Sequence, residues 1–151
     1  MYRVKDGALQ ILLAHPGGPL FRNKDDGHWT IPKGEHPAGE PLMQAARREF
    51  EEETGIKPAG ALIELGSIRQ KGGKIVYAWA FEGDYNDSQP VRSNTFEMQW
   101  PPGSGRVQSF PEVDKVRFFS LTEGKKKLKD SQWPLVERLV VTLGTSVNTG
   151  L

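Results

Sequence analysis

The stretch from Gly34 to Ile56 constrains the fold of this chain more than any other part of the sequence. Its first half is rich in glycine and proline, which resist regular structure, so it predicts a loop. Its second half predicts a helix from Pro41 to Thr54, because proline is tolerated in a first helical turn and Gly55 suits the left-handed residue that ends a helix. The chain must therefore fold around a loop that leads directly into one helix.

This predicted helix carries an apolar face beside an acidic face. A rotation of about 100° per residue gathers four apolar side chains on one side and three carboxylates on the next; these are Leu42, Met43, Ala46 and Phe50, and then Glu49, Glu52 and Glu53. The carboxylates repel one another and lie near the negative end of the helix dipole. A hard divalent cation would reverse this unfavourable term, since Mg²⁺ binds carboxylate and phosphate oxygens. A solvated acidic face is the alternative, and the helix alone leaves both interpretations open.

The same stretch resembles the Nudix box, Gly-x5-Glu-x7-Arg-Glu-U-x-Glu-Glu-x-Gly-U, in which U is a bulky apolar residue. Every constrained position matches; these are Gly34, Glu40, Arg48, Glu49, Phe50, Glu52, Glu53, Gly55 and Ile56. The resemblance implies an α/β chain with the Nudix fold, which is an α/β/α sandwich with a mixed β-sheet. In that fold the box forms a loop, a helix and a second loop.

The resemblance also implies roles for the box residues. Glu49, Glu52, Glu53 and the carbonyl of Gly34 are the expected ligands of Mg²⁺ or Mn²⁺. Arg48 is expected to orient the carboxylates, and Glu40 to support the box through hydrogen bonds. The general base varies in this family, so two positions stay open: Glu52 within the box, or a distant glutamate. Glu112 is the candidate for the distant position and Glu97 is the second choice.

The implied activity is Mg²⁺-dependent hydrolysis of a phosphoanhydride bond in a nucleoside diphosphate linked to another moiety. Outside the box, HWTIPKGE and KIVYAWAFEGDY are similar to segments of asymmetric diadenosine tetraphosphate hydrolases, and WPPGSG resembles a stretch of some bacterial Nudix proteins. Dinucleoside polyphosphates and nucleoside triphosphates are therefore the expected substrates. Two alternatives stay open, a Nudix domain that binds nucleotide or RNA without turnover and a purely structural domain.

Four residues are candidates for substrate binding. Lys33 directly precedes the box glycine, and an ammonium group there would meet a phosphate, because a buried lysine is otherwise costly. Trp29 and Trp100 could stack on a base, although packing in the core is the alternative for both. Tyr77 is placed by its similarity to a substrate-binding tyrosine of the diadenosine tetraphosphate hydrolases. The weaker candidates are Phe21, His28, His36 and Arg106.

Apolar patterning predicts the remaining elements. Strands are expected at 8–14, 29–32, 61–71, 74–84, 95–100 and 115–121, with hairpin turns at Asp6-Gly7 and Gly72-Gly73. The segment 101–110 is predicted to be irregular because it is rich in glycine and proline. Thr122 is expected to cap a short helix, and Ser131 to begin a last helix that covers the sheet. The first strand looks short for a Nudix domain, and whether a native extension precedes it stays open.

Composition limits the partners. The 151 residues fit one domain, predicted at 1–145, followed by a tail at 146–151. With 20 basic and 19 acidic residues the net charge is +1, which gives no general attraction to nucleic acid or membranes. The absence of cysteine excludes a disulfide or thiolate site and fits a cytoplasmic protein. No apolar run is long enough to span a membrane. The expected partner is a nucleotide-type small molecule, and a homodimer is one expected state.

Overall fold

The computed structural model describes residues 1–34 and 38–144. The predictions for His36 and for the tail at 146–151 lie outside the described residues. Along the chain the regular elements are β1 (Tyr2–Lys5), β2 (Ala8–Pro16), α1 (Leu42–Thr54), β3 (Ile63–Arg69), β4 (Ile75–Ala80), β5 (Thr95–Gln99), β6 (Val107–Pro111), β7 (Val113–Ser120), α2 (Leu121–Lys127), a 3-10 turn (Asp130–Gln132) and α3 (Trp133–Leu143).

The strands form a mixed arrangement. β2 lies between β1 and β7 and is antiparallel to both, while β3 and β4 form an antiparallel hairpin. The residues that follow β4 run parallel to β1: the Tyr2 N–H donates to the Phe81 carbonyl and the Gly83 N–H donates to the Tyr2 carbonyl, both at 3.0 Å. β5 and β6 form a separate antiparallel hairpin.

β2 is the centre of the domain because both of its faces are buried. Leu9, Ile11 and Leu13 belong to a core cluster that includes Leu135, Val136 and Leu139 of α3. Leu12 and Ala14 point to the opposite side, into a cluster that includes Phe50 of α1. A strand with helices over both faces is the middle layer of a three-layer sandwich. The predicted α/β/α arrangement is confirmed.

Two predictions about local structure were wrong, one after β5 and the other between β2 and α1. The segment 101–110 is not irregular throughout, since β6 pairs with β5 from Gln99↔Val107 to Thr95↔Pro111. The glycines and prolines that suggested a loop are confined to the tip of this hairpin. The predicted strand at 29–32 is reduced to isolated bridges, Ala14↔Thr30 and Trp29↔Leu128.

The helix ends also differ from the predictions. The oxygen that caps α2 belongs to Ser120, which accepts the Glu123 N–H at 3.2 Å, rather than to Thr122. α3 starts at Trp133 after the 3-10 turn, so Ser131 does not begin it. On α1, Met43 is 45% exposed and Ala45 takes the buried position instead. Within the described ranges, no helix combines the length and the apolar character needed to cross a bilayer.

Candidate active site

The acidic helix α1 ends where the sequence predicts. Gly55 has φ 74°, and its N–H donates to the Glu51 carbonyl at 2.7 Å, which closes the last turn. Phe50 and Thr54 are buried on the side that faces the sheet. This packing fixes the rotation of the helix and presents Glu49, Glu52 and Glu53 beside the loop that contains Lys33 and Gly34.

Arg48 holds three carboxylates of this region together. Its guanidinium donates to both Glu40 oxygens, through Nε to Oε2 at 3.1 Å and through Nη2 to Oε1 at 2.9 Å. The Nη1 atom donates to Glu49 Oε1 at 2.9 Å and to Glu52 Oε2 at 3.0 Å. Donating hydrogen bonds to Glu40, Glu52 and Glu49 raises the pKa of Arg48. The contacts expected for Arg48 and Glu40 are present.

The environment of Glu53 disfavours its charged form. Burial raises its pKa to about 7; the backbone hydrogen bond and the charge of Lys33 oppose the rise, and the charges of Glu49 and Glu112 add to it. The hydrogen bond runs from the Lys33 N–H to Glu53 Oε2 at 3.0 Å. The sequence predicts a role for the Lys33 side chain but carries no signal for this contact of its main chain.

Gly34 allows Glu49 to approach the loop. A Cβ atom at position 34 would overlap the Glu49 carboxylate, so a side chain there is excluded unless Glu49 moves. The loop and the acidic helix are therefore in direct contact at this glycine. The contact places the backbone of Gly34 next to carboxylate oxygen atoms, which is the neighbourhood in which its carbonyl was predicted to be a metal ligand.

Main-chain hydrogen bonds bring Glu112 to the cluster. The Asn94 N–H donates to the Glu52 carbonyl at 2.9 Å, and the Glu112 N–H donates to the Asn94 carbonyl at 2.7 Å. The Gly17 N–H in turn donates to the Glu112 carbonyl at 3.0 Å. Glu112 itself is exposed, yet its charge raises the pKa of Glu53. Glu97 lies further along the β5–β6 hairpin, opposite Ser109.

The oxygen atoms of this cluster are of the kind that binds a hard divalent cation, but they are arranged as an ion-pair cluster. Carboxylate and carbonyl oxygens are the ligands that Mg²⁺ prefers. In residues 1–34 and 38–144, however, no group of three such side chains converges closely enough to hold a metal ion. Arg48 engages Glu49 and Glu52, so a cation would require these carboxylates to turn. The predicted metal ligands stay a prediction.

The four predicted substrate-binding residues lie in different places. Lys33 and Tyr77 line one cleft together with Gly34 and Glu49, and Tyr77 is 47% exposed. Trp100 directly follows β5. Its backbone N–H donates to the Arg106 carbonyl at 2.9 Å near the tip of the β5–β6 hairpin. Lys33 and Tyr77 therefore share one cleft with part of the acidic helix.

The structure contradicts the prediction that Trp29 stacks on a base. It is only 3% exposed, and its ring makes edge contacts with His15 and Phe119 at centroid distances of 5.1 and 4.9 Å. Its Nε1–H donates to Asp25 Oδ1 at 2.8 Å. Because the ring is enclosed, it has no face free to stack on a base, and the packing alternative describes it. Among the weaker candidates, His28 Nδ1 contacts the Asp26 carbonyl at 3.0 Å.

The layer order, the box geometry and the acidic cluster together define an α/β domain of the Nudix class. A family model described as the NUDIX domain matches residues 2–139, so the chain belongs to the Nudix family. This finding confirms the identification made from the sequence motif.

Curated relatives include hydrolases of two kinds. The chain is 38% identical over 71 residues to the rat asymmetrical bis(5'-nucleosyl)-tetraphosphatase, a match that covers 42% of this chain and 48% of the rat protein. The mouse protein of the same name is 41% identical over 76 residues. The match thus spans about half the length of these relatives. The zebrafish oxidized purine nucleoside triphosphate hydrolase is 27% identical over 124 residues, which cover 78% of this chain and 79% of that protein.

Solved structures share the fold. A Caenorhabditis elegans Ap4A hydrolase in a binary complex superposes with a TM-score of 0.62 at 22% identity, covering 95% of each chain. The solution structure of the Escherichia coli ORF135 protein gives a TM-score of 0.54 at 24% identity, covering 95% of this chain and 86% of the other. At such identities the likeness is one of fold.

Proposed function

We propose that this protein is a divalent-cation-dependent pyrophosphohydrolase. In this proposal water cleaves a phosphoanhydride bond in a nucleoside diphosphate linked to another moiety, and dinucleoside polyphosphates are the leading substrates. Nucleoside triphosphates follow as a second class. Family membership and the names of the rat and zebrafish relatives support this choice.

The observation that carries the proposal is the acidic cluster beside Gly34. Arg48 contacts Glu40, Glu49 and Glu52 at once, and the pKa of Glu53 rises to about 7. Such a site is unfavourable for the protein alone, because buried and clustered carboxylates repel one another. A perturbed carboxyl in a cleft is a common mark of a functional site. The cluster therefore fits a site that binds positive charge.

The residues of the acidic cluster and its cleft have separate roles in the proposed hydrolysis. A divalent cation held by Glu49, Glu52, Glu53 and the Gly34 carbonyl would neutralise phosphate charge and activate water. Lys33 lines the same cleft and supplies a positive group to the phosphates. Arg48 positions the carboxylates, and Glu40 accepts two of its hydrogen bonds.

Glu112 is the proposed general base. Glu52 is already engaged by Arg48, whereas Glu112 is exposed and its backbone is fixed next to the cluster through Asn94. A base must reach the attacking water directly, and a free carboxylate at the edge of the cluster meets that need. Tyr77 is the proposed contact for the substrate body in the same cleft.

The experiment that tests this function is a product assay. Purified protein with Mg²⁺ or Mn²⁺ is incubated with dinucleoside polyphosphates, nucleoside triphosphates and nucleotide sugars, and products are separated by chromatography. Release of a nucleotide that depends on the cation supports the proposal, and ¹⁸O-water then identifies the phosphorus that is attacked. Binding of the same nucleotides without any turnover would favour the non-catalytic alternative. A cytoplasmic location and a homodimer belong to the same proposal and are tested by fractionation and light scattering.

A further inference from the structure

His15 is a buried polar residue that has no part in the hydrolysis proposed above. It lies near the end of β2 and is 1% exposed. Its Nδ1 lies 2.8 Å from Asp114 Oδ1 on β7, and its Nε2 lies 2.6 Å from the carbonyl oxygen of Lys24, in the loop that follows β2. A ring that is held at both nitrogens has one fixed orientation. His15 therefore joins the start of β7 to this loop.

Asp114 is the extra residue of a β-bulge. It lies opposite no residue of β2, because the pairing moves from Lys115 to Val113 over a single step along β2. A bulge of this kind shifts the strand by one residue, which turns the side chains beyond it to the other face. The burial at this end of β7 shows the shift, since Val113 and Val116 are three positions apart and yet belong to the same core cluster. In an unbroken strand they would point to opposite faces.

The bulge also sets which residue meets the acidic cluster. Glu112 lies two positions before Asp114; its N–H donates to the Asn94 carbonyl at 2.7 Å, and its carbonyl accepts the Gly17 N–H at 3.0 Å. The Asn94 N–H in turn donates to the Glu52 carbonyl of α1 at 2.9 Å. A slip of one residue between β2 and β7 would bring a neighbour of Glu112 to these partners. The bulge therefore selects Glu112 as the residue at the cluster.

The contact between His15 and Asp114 differs in kind from the other contacts of the segment 112–114. Glu112 is held through its main chain, and the Val113 N–H donates to Ser93 Oγ at 3.0 Å. Residues of almost any type could offer those main-chain groups to the same partners. The hydrogen bond between His15 and Asp114 depends on the identity of both side chains, so it specifies which residue forms the bulge.

We propose that His15 and Asp114 are a positioning pair, which fixes the bulge in β7 and thereby places Glu112 at the acidic cluster. This inference rests on the proposed function, in which Glu112 is the general base. A base must lie within hydrogen-bond reach of the water that it activates, so a displacement of about 1 Å slows the reaction. In this role the pair does not touch the substrate, and its loss should lower kcat while KM stays nearly unchanged.

The test replaces Asp114, because its side chain is 33% exposed whereas His15 is buried. Asp114→Ala should lower kcat for diadenosine tetraphosphate with Mg²⁺ by about 10- to 100-fold, with KM changed by less than about twofold. Asp114→Asn keeps an acceptor oxygen at the same place and should restore kcat to within about threefold of the parent. Lys115→Ala is the matched control: it removes the exposed neighbouring side chain and should retain the parental kcat.

A double-mutant cycle separates positioning from a general structural effect. In a Glu112→Gln protein, Asp114→Ala should lower kcat by less than about twofold, because the group that the pair positions is already lost. Amide exchange gives a second readout that needs no catalysis. The N–H groups of Glu112 and Val113 should exchange at least about tenfold faster in Asp114→Ala than in the parent, whereas that of Phe118, further along β7, should not change.

Three outcomes would overturn the proposal. A parental kcat in Asp114→Ala, with unchanged exchange at Glu112, would show that the pair positions nothing. Losses that multiply in the double-mutant cycle would mean that the pair acts on the site by a route other than Glu112. An unaltered kcat in Glu112→Gln would remove the group to be positioned. If the parent hydrolyses no substrate, the proposed function fails, and the exchange rates then decide by themselves whether His15 and Asp114 fix the backbone of Glu112.

Discussion

Replacing Glu53 with glutamine should make the cation-free protein more stable at high pH. Burial raises the pKa of Glu53 from its ordinary 4.5 to about 7. Below pH 4.5 the folded and unfolded chains both keep the proton, so this group gives its full stability there. Between pH 4.5 and 7 the unfolded chain releases the proton first, so the free energy of unfolding falls as the pH rises and then levels off.

The size of this effect follows from the pKa. A tenfold change in proton affinity corresponds to about 1.4 kcal/mol, so the change in Glu53 amounts to about 3–4 kcal/mol above pH 7. Glu53→Gln keeps an oxygen that can accept the Lys33 N–H but removes the ionisation. The variant should therefore match the parent near pH 4.5 and exceed it by about 3–4 kcal/mol at pH 8, or roughly 6–16 °C in melting temperature.

The assay is urea unfolding of both proteins in EDTA, in steps from pH 4.5 to pH 8. Glu51→Gln is the matched control, because Glu51 is exposed on the same helix and its replacement should give a difference that does not change with pH. A parent protein that is as stable as the Glu53→Gln variant at pH 8, or a difference that is constant over this range, would refute the argument from burial.

Four further predictions concern the same cluster and the core. Mg²⁺ should raise the melting temperature of the parent protein more at pH 8 than at pH 5, because protons compete with the cation for carboxylates, and an equal rise would contradict this. Arg48→Gln should lower nucleotide hydrolysis by about 10- to 100-fold by releasing the carboxylates it holds, whereas Arg47→Gln should retain it. Gly34→Ala should cost about 100-fold in turnover with the fold intact by circular dichroism, since its Cβ displaces Glu49. Trp29→Ala should lose about 3–5 kcal/mol in denaturant unfolding because the ring is buried, and a small loss would restore the stacking role.

The acidic helix could be predicted closely because its signals are local. Helix α1 begins one residue after Pro41 and ends at Thr54, and Gly55 has the left-handed conformation that the sequence indicates. The buried strand β2 could also be predicted from the sequence, since a continuous apolar run between turn signals indicates it. Patterns of this kind depend on neighbours in the chain, which the sequence displays directly.

Contacts between distant residues could not be predicted in the same way. No sequence pattern marks His15 as a core residue, yet it is 1% exposed, with Nδ1 at 2.8 Å from Asp114 Oδ1 and Nε2 at 2.6 Å from the Lys24 carbonyl. The Asp114 carboxylate lies 99 positions away in the sequence, so no local pattern predicts its contact with His15. The same holds for Lys33 and Glu53, whose contact involves a main-chain group that every residue except proline possesses.

The links from Glu52 through Asn94 and Glu112 to Gly17 use only main-chain atoms. The backbone at position 112 is therefore held in place independently of the side chain that it carries. Any amino acid there except proline could form the same hydrogen bonds. During evolution Glu112 could be replaced by another polar residue, which would change the chemistry at the edge of the acidic cluster without changing the backbone that positions this residue.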